Sequence, residues 1–149
     1  MICRVANQKD LPVLLQFGKE PSLVEANFDK TIVFDEEEAR SRYALQLANP
    51  LVFFLIAEIE EKQPIGYLYA HIDQSDRMKQ GEIEVVFVSE EYRGQRIAQE
   101  LVETALQWMK DHQVSRVLAH IFAENKPSRK AFERLGFKPH NIEYLLEIM

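Results

Sequence analysis

The stretch "GEIEVVFVSEEYRGQRIAQELV" (residues 81–102) decides the fold. It passes from an apolar strand pattern, through a polar loop with a single glycine, into an amphipathic helix. Alternation places Ile83, Val85 and Phe87 on one face of the strand and Glu82 and Glu84 on the other. The helix runs from about Gln95 to His112, with Ile97, Leu101, Ala105, Trp108 and Met109 near one face. A helix N-terminus carries unpartnered amides and a partial positive charge, which suits a phosphate. Gly94 lets the backbone turn and approach an oxygen closely. Arg93 and Arg96 add fixed positive charge beside those amides. The same loop, taken alone, also reads as a plain helix start with two solvated arginines.

Working outward, "LVFFLIAEI" (51–59) and "IGYLYAHID" (65–73) read as an antiparallel hairpin across the turn "EEKQP" (60–64). The turn "QSDRMKQ" (74–80) leads into the opening stretch. Beyond it, "VSRVLAHIF" (114–122) reads as a buried strand, and "NKPSRKAFERLGF" (125–137) as a short helix stopped by Gly136. "IEYLLEIM" (142–149) reads as a last strand. Toward the N-terminus, "ICRVA" (2–6) is a short strand, and Asp10 is expected to cap a helix from Leu11 to about Lys19. Residues 20–34 show no clear period. A helix over 35–50 takes Asp35 as its cap and Glu38 as the reciprocal partner. The order predicts one mixed α/β domain over residues 1–149.

Composition narrows the function. The 149 residues carry a formal net charge of −6, against the basic excess usual for nucleic-acid binding. No apolar run reaches the ~20 residues of a membrane helix, and no export signal opens the chain. Cys3 is the lone cysteine, which excludes an internal disulfide and a cysteine-based metal cluster. A reducing cytoplasm is the expected compartment. Arg93, Arg96, Lys126, Arg129 and Lys130 fall in two short stretches, and a fold that joins them makes a positive patch. His71, His112, His120 and His140 show no metal-ligand spacing and read as surface or structural residues.

"VVFVSEEYRGQRIAQELV" followed by "AENKPSRKAFERLGF" (123–137) resembles the GNAT superfamily of N-acetyltransferases. The family loop Gln/Arg-x-x-Gly-x-Gly/Ala is matched by Arg93 to Ala98, with Arg96 at the middle position where glycine is usual. The resemblance covers residues 51–139. It implies a mostly antiparallel sheet, splayed in a V between strands 81–88 and 114–122 and flanked by helices. Acetyl-coenzyme A would lie in the gap as cosubstrate, with no metal. The backbone of Val86, Phe87 and Val88 would hold the acetyl and pantetheine groups. The amides of Arg93, Gly94, Gln95, Arg96, Ile97 and Ala98 would bind the pyrophosphate. Asn125 would bond the pantetheine end with Ser128 nearby, while Asn125 also reads as an ordinary helix cap.

The reaction implied is direct acetyl transfer to a primary amine of a small molecule or of a peptide or protein. Glu84 and Glu82 are the candidate bases, since a glutamate on this strand often draws the proton away through water in the family. Glu84 is favoured as nearer the acetyl group, provided no bulge breaks the alternation. Phe132 stands where the family often has a tyrosine acid, so it packs against the thioester or the core, and no general acid is assigned. Tyr67 and Tyr69 share a face and line either the acceptor side or the core. The acidic "DEEE" (35–38), with Glu82 and Glu84, favours a cationic acceptor, whose site residues 20–34 and 74–80 are expected to shape. The alternative is a non-catalytic module that binds acyl-coenzyme A as a sensor. A homodimer through the last strand is compatible with the sequence.

Overall fold

The computed structural model describes residues 1–75 and 78–148. Asp76 and Arg77 of the predicted turn, and Met149 of the predicted last strand, lie outside the described residues. Five strands form one sheet in the order β1 (Ile2–Val5), β2 (Val52–Ile59), β3 (Gln63–Asp73), β4 (Gln80–Val88) and β5 (Arg116–Ala119). Neighbours are antiparallel except β4 and β5, which run parallel. The parallel pair is joined by the helix α3 (Ile97–Asp111), as a parallel connection requires. The helices α1 (Leu11–Glu25) and α2 (Glu36–Leu47) lie between β1 and β2, and α4 (Lys126–Arg134) follows β5.

Both faces of the sheet are covered, which explains the continuous apolar run of β2. Phe53, Leu55 and Ala57 face α3 and pack with Ile97, Leu101, Val102, Ala105 and Met109. Phe54 and Ile56 face the other way, against Leu14, Leu15 and Phe17 of α1 and Ala39 and Tyr43 of α2. Each fully buried aliphatic contributes about 1.5–3 kcal/mol, so the two layers together hold the sheet. The α3 stripe read from the sequence is the stripe that docks, with Trp108 stacked on Phe53 at 4.6 Å. Gly81 allows this docking, because a Cβ there would stand 2.5 Å from Met109 Sδ.

The register on the two sides of β4 differs. Against β3 it continues to Val88, but against β5 it stops at Ile83 opposite Ala119. The strands therefore part beyond Ile83, and the V-shaped opening expected between 81–88 and 114–122 is present. The register with β3 also slips, from Tyr69↔Val85 to Ala70↔Ile83, leaving Glu84 as the extra residue of a β-bulge. This corrects the simple alternation. Ile83 and Val86 pack on the α3 side, whereas Val85 and Phe87 pack on the α1 side.

Five other expectations need correction. Helix α1 continues six residues past Lys19, through Pro21, with Ser22 Oγ donating to the Gly18 carbonyl. Asp10 does not cap it. Its carboxylate instead accepts from the Asn7 amide and from both terminal guanidinium nitrogens of Arg4, Nη1 and Nη2, at 2.8 Å. Asp35 does cap α2 through the Glu38 amide, but the Glu38 carboxylate turns to Arg42 rather than back to the cap. Strand β5 is four residues long and only half-buried, and 142–148 form no strand. The two are linked, since the outer edge of β5 has no neighbour in the sheet. The stop at Gly136 is a Schellman motif, with Phe137 N–H donating to Phe132 O and Gly136 N–H to Glu133 O.

Arg4 also reaches Glu58 at 3.1 Å, so one guanidinium serves two buried carboxylates. Arg4→Ala leaves both without a partner and is expected to cost about 3 kcal/mol or more. Urea unfolding of the variant measures that loss.

Candidate active site

Both helices that follow the parallel strands start at the same end of the sheet, because β4 and β5 run the same way. The loop before α3 turns at Gly94, with φ +79°, and at Arg96, with φ +64°. Both are left-handed, so Arg96 holds a conformation that glycine adopts without strain. Among the described residues, no hydrogen bond takes up the amides of Gly94, Gln95 or Arg96. Helix geometry adds the free amides of the first turn, at Ile97 and Ala98. Arg93 is anchored: its Nε donates to the Val88 carbonyl at 2.9 Å, and its guanidinium lies 5.9 Å from the Phe87 ring centre. Its side chain thus braces the loop on β4, while its backbone remains at the loop. Asn125 caps α4, accepting from Ser128 N–H at 3.3 Å. Arg129 donates to the Ala123 carbonyl, which ties it back to its own loop.

Val86 and Val88 pack toward α3, and Phe87 sits with Phe17 and Tyr67 on the opposite layer. Beyond Ile83 no described strand pairs with the β5-facing edge of these residues. Phe132 is half-buried and meets Phe137 edge-on at 5.1 Å.

Glu82 and Glu84 share a face and meet His71 of β3 and His120 of the chain just after β5. His71 Nε2–H donates to Glu84 Oε1 at 2.9 Å and lies 3.5 Å from Glu82 Oε2. His120 Nε2–H donates to Glu82 Oε1 at 2.9 Å. The hydrogen bond to Glu84 pushes His71 above the ordinary histidine range, against the opposing effect of burial. The same bond holds Glu84 below the ordinary carboxylate range. His120 is 58% exposed, so the chain of groups runs from β3 to the surface. His71, Glu82 and Glu84 offer one ligand atom each within 4.8 Å of one another, a spacing that also admits a metal ion. Setting these histidines aside missed the cluster. His71 pairs with Glu82 across β3 and β4, and His120 follows β5, so no spacing along the chain announces it.

Glu84 also lines a cavity of about 300 Å³ between α1, α2 and the sheet. Tyr43, Phe54, Tyr67 and Tyr69 supply aromatic wall, and Ile32 and Val33 come from the stretch without a sequence period. Stacking of Phe28 on Phe122 at 5.6 Å ties that stretch to the chain after β5. Glu25 reaches the same cavity from the end of α1. Burial, with a smaller contribution from the Glu84 charge, pushes its carboxyl above the ordinary range. Among the described residues it has no ion-pair partner, unlike Arg42 in the same wall, which is held by Glu38. Sequence reading missed Glu25 because no period marked the end of α1.

Comparison with known proteins bears on the family and the fold. A mycothiol acetyltransferase of Corynebacterium aurimucosum is 40% identical over 57 residues, 38% of this chain and 19% of that relative. This chain therefore spans well under two thirds of that relative's length. The BH1408 protein of Bacillus halodurans, solved as a tetramutant, superposes with a TM-score of 0.89 at 19% identity, covering 99% of this chain and 100% of that one. AAC(6')-Iy, solved with the bisubstrate analogue CoA-S-monomethyl-acetylneamine, has a TM-score of 0.78 at 16% identity, covering 99% and 98%. At these identities the structural likeness shows the fold. The sequence model of the acetyltransferase (GNAT) family matches residues 21–137, and the chain belongs to that family.

Proposed function

We propose, starting from that membership, that the chain transfers the acetyl group of acetyl-coenzyme A directly to a primary amine of a cationic acceptor. The observation that carries this reading is the aromatic cavity that holds both Glu84 and the unpaired Glu25. An alkylammonium suits such a wall through cation–π contacts and a carboxylate partner. The volume suits a small amine or the tip of a flexible peptide better than a folded surface.

The coenzyme would enter the opening between β4 and β5. Its pyrophosphate would meet the free amides from Gly94 to Ala98, with Asn125 and Ser128 toward the pantetheine. The unpaired edge of Val86, Phe87 and Val88 would receive the pantetheine and the acetyl carbonyl. An ammonium with a pKa near ~10 must lose a proton before its nitrogen attacks. That proton would pass through water to the Glu84–His71 pair, which titrates as a unit. It would then leave to solvent past Glu82 and the exposed His120. Attack forms the new C–N bond and an oxyanion that a backbone N–H stabilises. Collapse breaks the C–S bond, and the second proton of the former ammonium passes from the nitrogen, through water, to the leaving thiolate, giving the amide and the free thiol. Much of the acceleration would come from holding two reactants side by side. The lone Cys3 fits a reducing cytoplasm, with the chain acting as one domain.

One observation favours a second reading. Phe132 has no proton to give, which keeps a coenzyme-binding sensor in view. Calorimetry with acetyl-coenzyme A, followed by thiol release over a panel of amines, separates the two. Binding with amine-dependent release supports transfer, and binding without release from any amine supports the sensor.

Glu25→Gln removes the free charge without changing the cavity's size. The expected result is a KM for the amine raised about tenfold, as for loss of a charge-assisted contact worth ~1.4 kcal/mol. The KM for acetyl-coenzyme A should stay unchanged. Steady-state kinetics with each substrate varied in turn measures both.

A further inference from the structure

We infer that His71, Glu82 and Glu84 form a binding site for one divalent transition-metal ion of the zinc class, with His120 holding Glu82 in place as a ligand. The site itself does not depend on the proposed reaction.

The observation that carries it is a shortage of donors. His71 Nε2 stands 2.9 Å from Glu84 Oε1 and 3.5 Å from Glu82 Oε2. An imidazole nitrogen has at most one proton to give, and here it goes to Glu84. Among the described residues, no hydrogen bond reaches Glu82 Oε2, although only 17% of that side chain is exposed. No lysine or arginine among them pairs with either carboxylate. One N–H thus faces two carboxylates. A single cation, bound to the lone pair of Nε2 in place of that proton, meets all three groups at once.

Distances and scaffold fit such an ion. Around a tetrahedral ion with bonds of about 2.0–2.2 Å, ligand atoms stand about 3.4 Å apart. The distances of 2.9 and 3.5 Å at Nε2 bracket that edge, and all three ligand atoms lie within 4.8 Å of one another. His71 and Glu82 are partners in the register of β3 and β4, and Glu84 is the bulge residue of the same β4. Ligands on paired strands are held more precisely than ligands on loops. His120 Nε2–H donates to the other oxygen of Glu82, at 2.9 Å. An outer partner of this kind fixes the orientation of a ligating carboxylate. Cavities flank the cluster on two sides. Glu84 lines the one already described, and His71 lines another of about 280 Å³ with Gln46, Asn49 and Tyr69. They leave room for water as the fourth ligand.

The donor set selects the class of ion. One imidazole and two carboxylates suit zinc and its neighbours, whereas calcium takes six to eight oxygens and magnesium an octahedron of oxygens. Two carboxylates beside a neutral imidazole also balance a charge of two. One consequence does rest on the proposed reaction. The bound ion would occupy the atoms of Glu84 and His71 that receive the ammonium's proton, so transfer would stop until the ion is removed.

The test uses the full chain without an affinity tag, and Zn²⁺ as the probe. Calorimetry should show one zinc ion per chain and no binding of Mg²⁺. His71→Gln and Glu82→Gln should each raise the zinc Kd at least about 100-fold, and His120→Ala about tenfold. Thermal melts check that each variant folds. X-ray absorption of the zinc-loaded parent should show one imidazole and no sulfur, which sets Cys3 aside as the holder. Transfer to an amine should fall with one equivalent of zinc and return when a chelator is added. Zinc that binds at these residues without slowing transfer would support the site and count against Glu84 as the base. Absence of zinc binding, sulfur in the coordination shell, or a Kd that His71→Gln and Glu82→Gln leave unchanged would overturn the proposal.

Discussion

Glu84→Gln is expected to lower kcat at least about 100-fold, the usual range for a lost general base. The KM for acetyl-coenzyme A should hardly move, because Glu84 lines the cavity between α1, α2 and the sheet rather than the opening beside β5. A second readout separates chemistry from structure. In the parent protein His71 is held above its ordinary value of about 6.5 by its bond to Glu84, so the acid limb of kcat/KM should lie above that value. Without the carboxylate His71 relaxes downward, and the residual acid limb should move to lower pH. A purely structural role would lower the rate without moving the limb. Stability carries the same signature. The His71 contribution is present below its unfolded pKa and is lost as pH rises through the raised folded value. The Glu84 contribution is present above its unfolded pKa and is lost as pH falls through the lowered folded value. The difference in thermal stability between parent and variant should therefore be largest near pH ~5–6.

Gly94→Val is expected to abolish coenzyme binding, with Kd raised more than about 100-fold. At φ +79° a β-branched residue is strained, at a cost of about 1–3 kcal/mol. Its chain neighbours apart, no atom of the described residues lies within 4 Å of a Cβ placed there, so the protein itself should still fold. What changes is the path of the free amides between Gly94 and Ala98. Arg96→Gly supplies the contrast. Arg96 already occupies a left-handed position at φ +64°, where glycine is unstrained. That substitution should leave Kd for acetyl-coenzyme A within about threefold and should not lower Tm, the released strain offsetting glycine's extra unfolded-state entropy. Calorimetry and thermal melts measure both. Equal, small effects of the two changes would make this loop a plain helix start.

Much of this was legible in the sequence because it is local. The α3 stripe, the Asp35 cap and the Gly136 stop each depend on a few adjacent residues, and each is found where the pattern placed it. The segments 51–59 and 65–73 likewise announced an antiparallel hairpin, which β2 and β3 form. The misses are non-local. Period-two reasoning cannot see a bulge, so it puts Ile83 on one face with Val85 and Phe87, which lie across the sheet from it. Asp10 looked like a cap until Arg4, from β1, competed for its carboxylate. The loop amides and Asn125 were visible as a motif, but His71, His120 and Glu25 were not. Those three come from β3, from the chain after β5 and from the end of α1, and only the folded sheet brings them to Glu82, Glu84 and their cavity.

The most direct measurement is a single turnover with acetyl-coenzyme A labelled in the acetyl group and a small cationic amine in excess. The expected result is label appearing on the amine nitrogen in step with thiol release, with none retained on the protein, and a rate that falls at least about 100-fold in Glu84→Gln. Coenzyme that binds but passes its label to no amine would contradict the account.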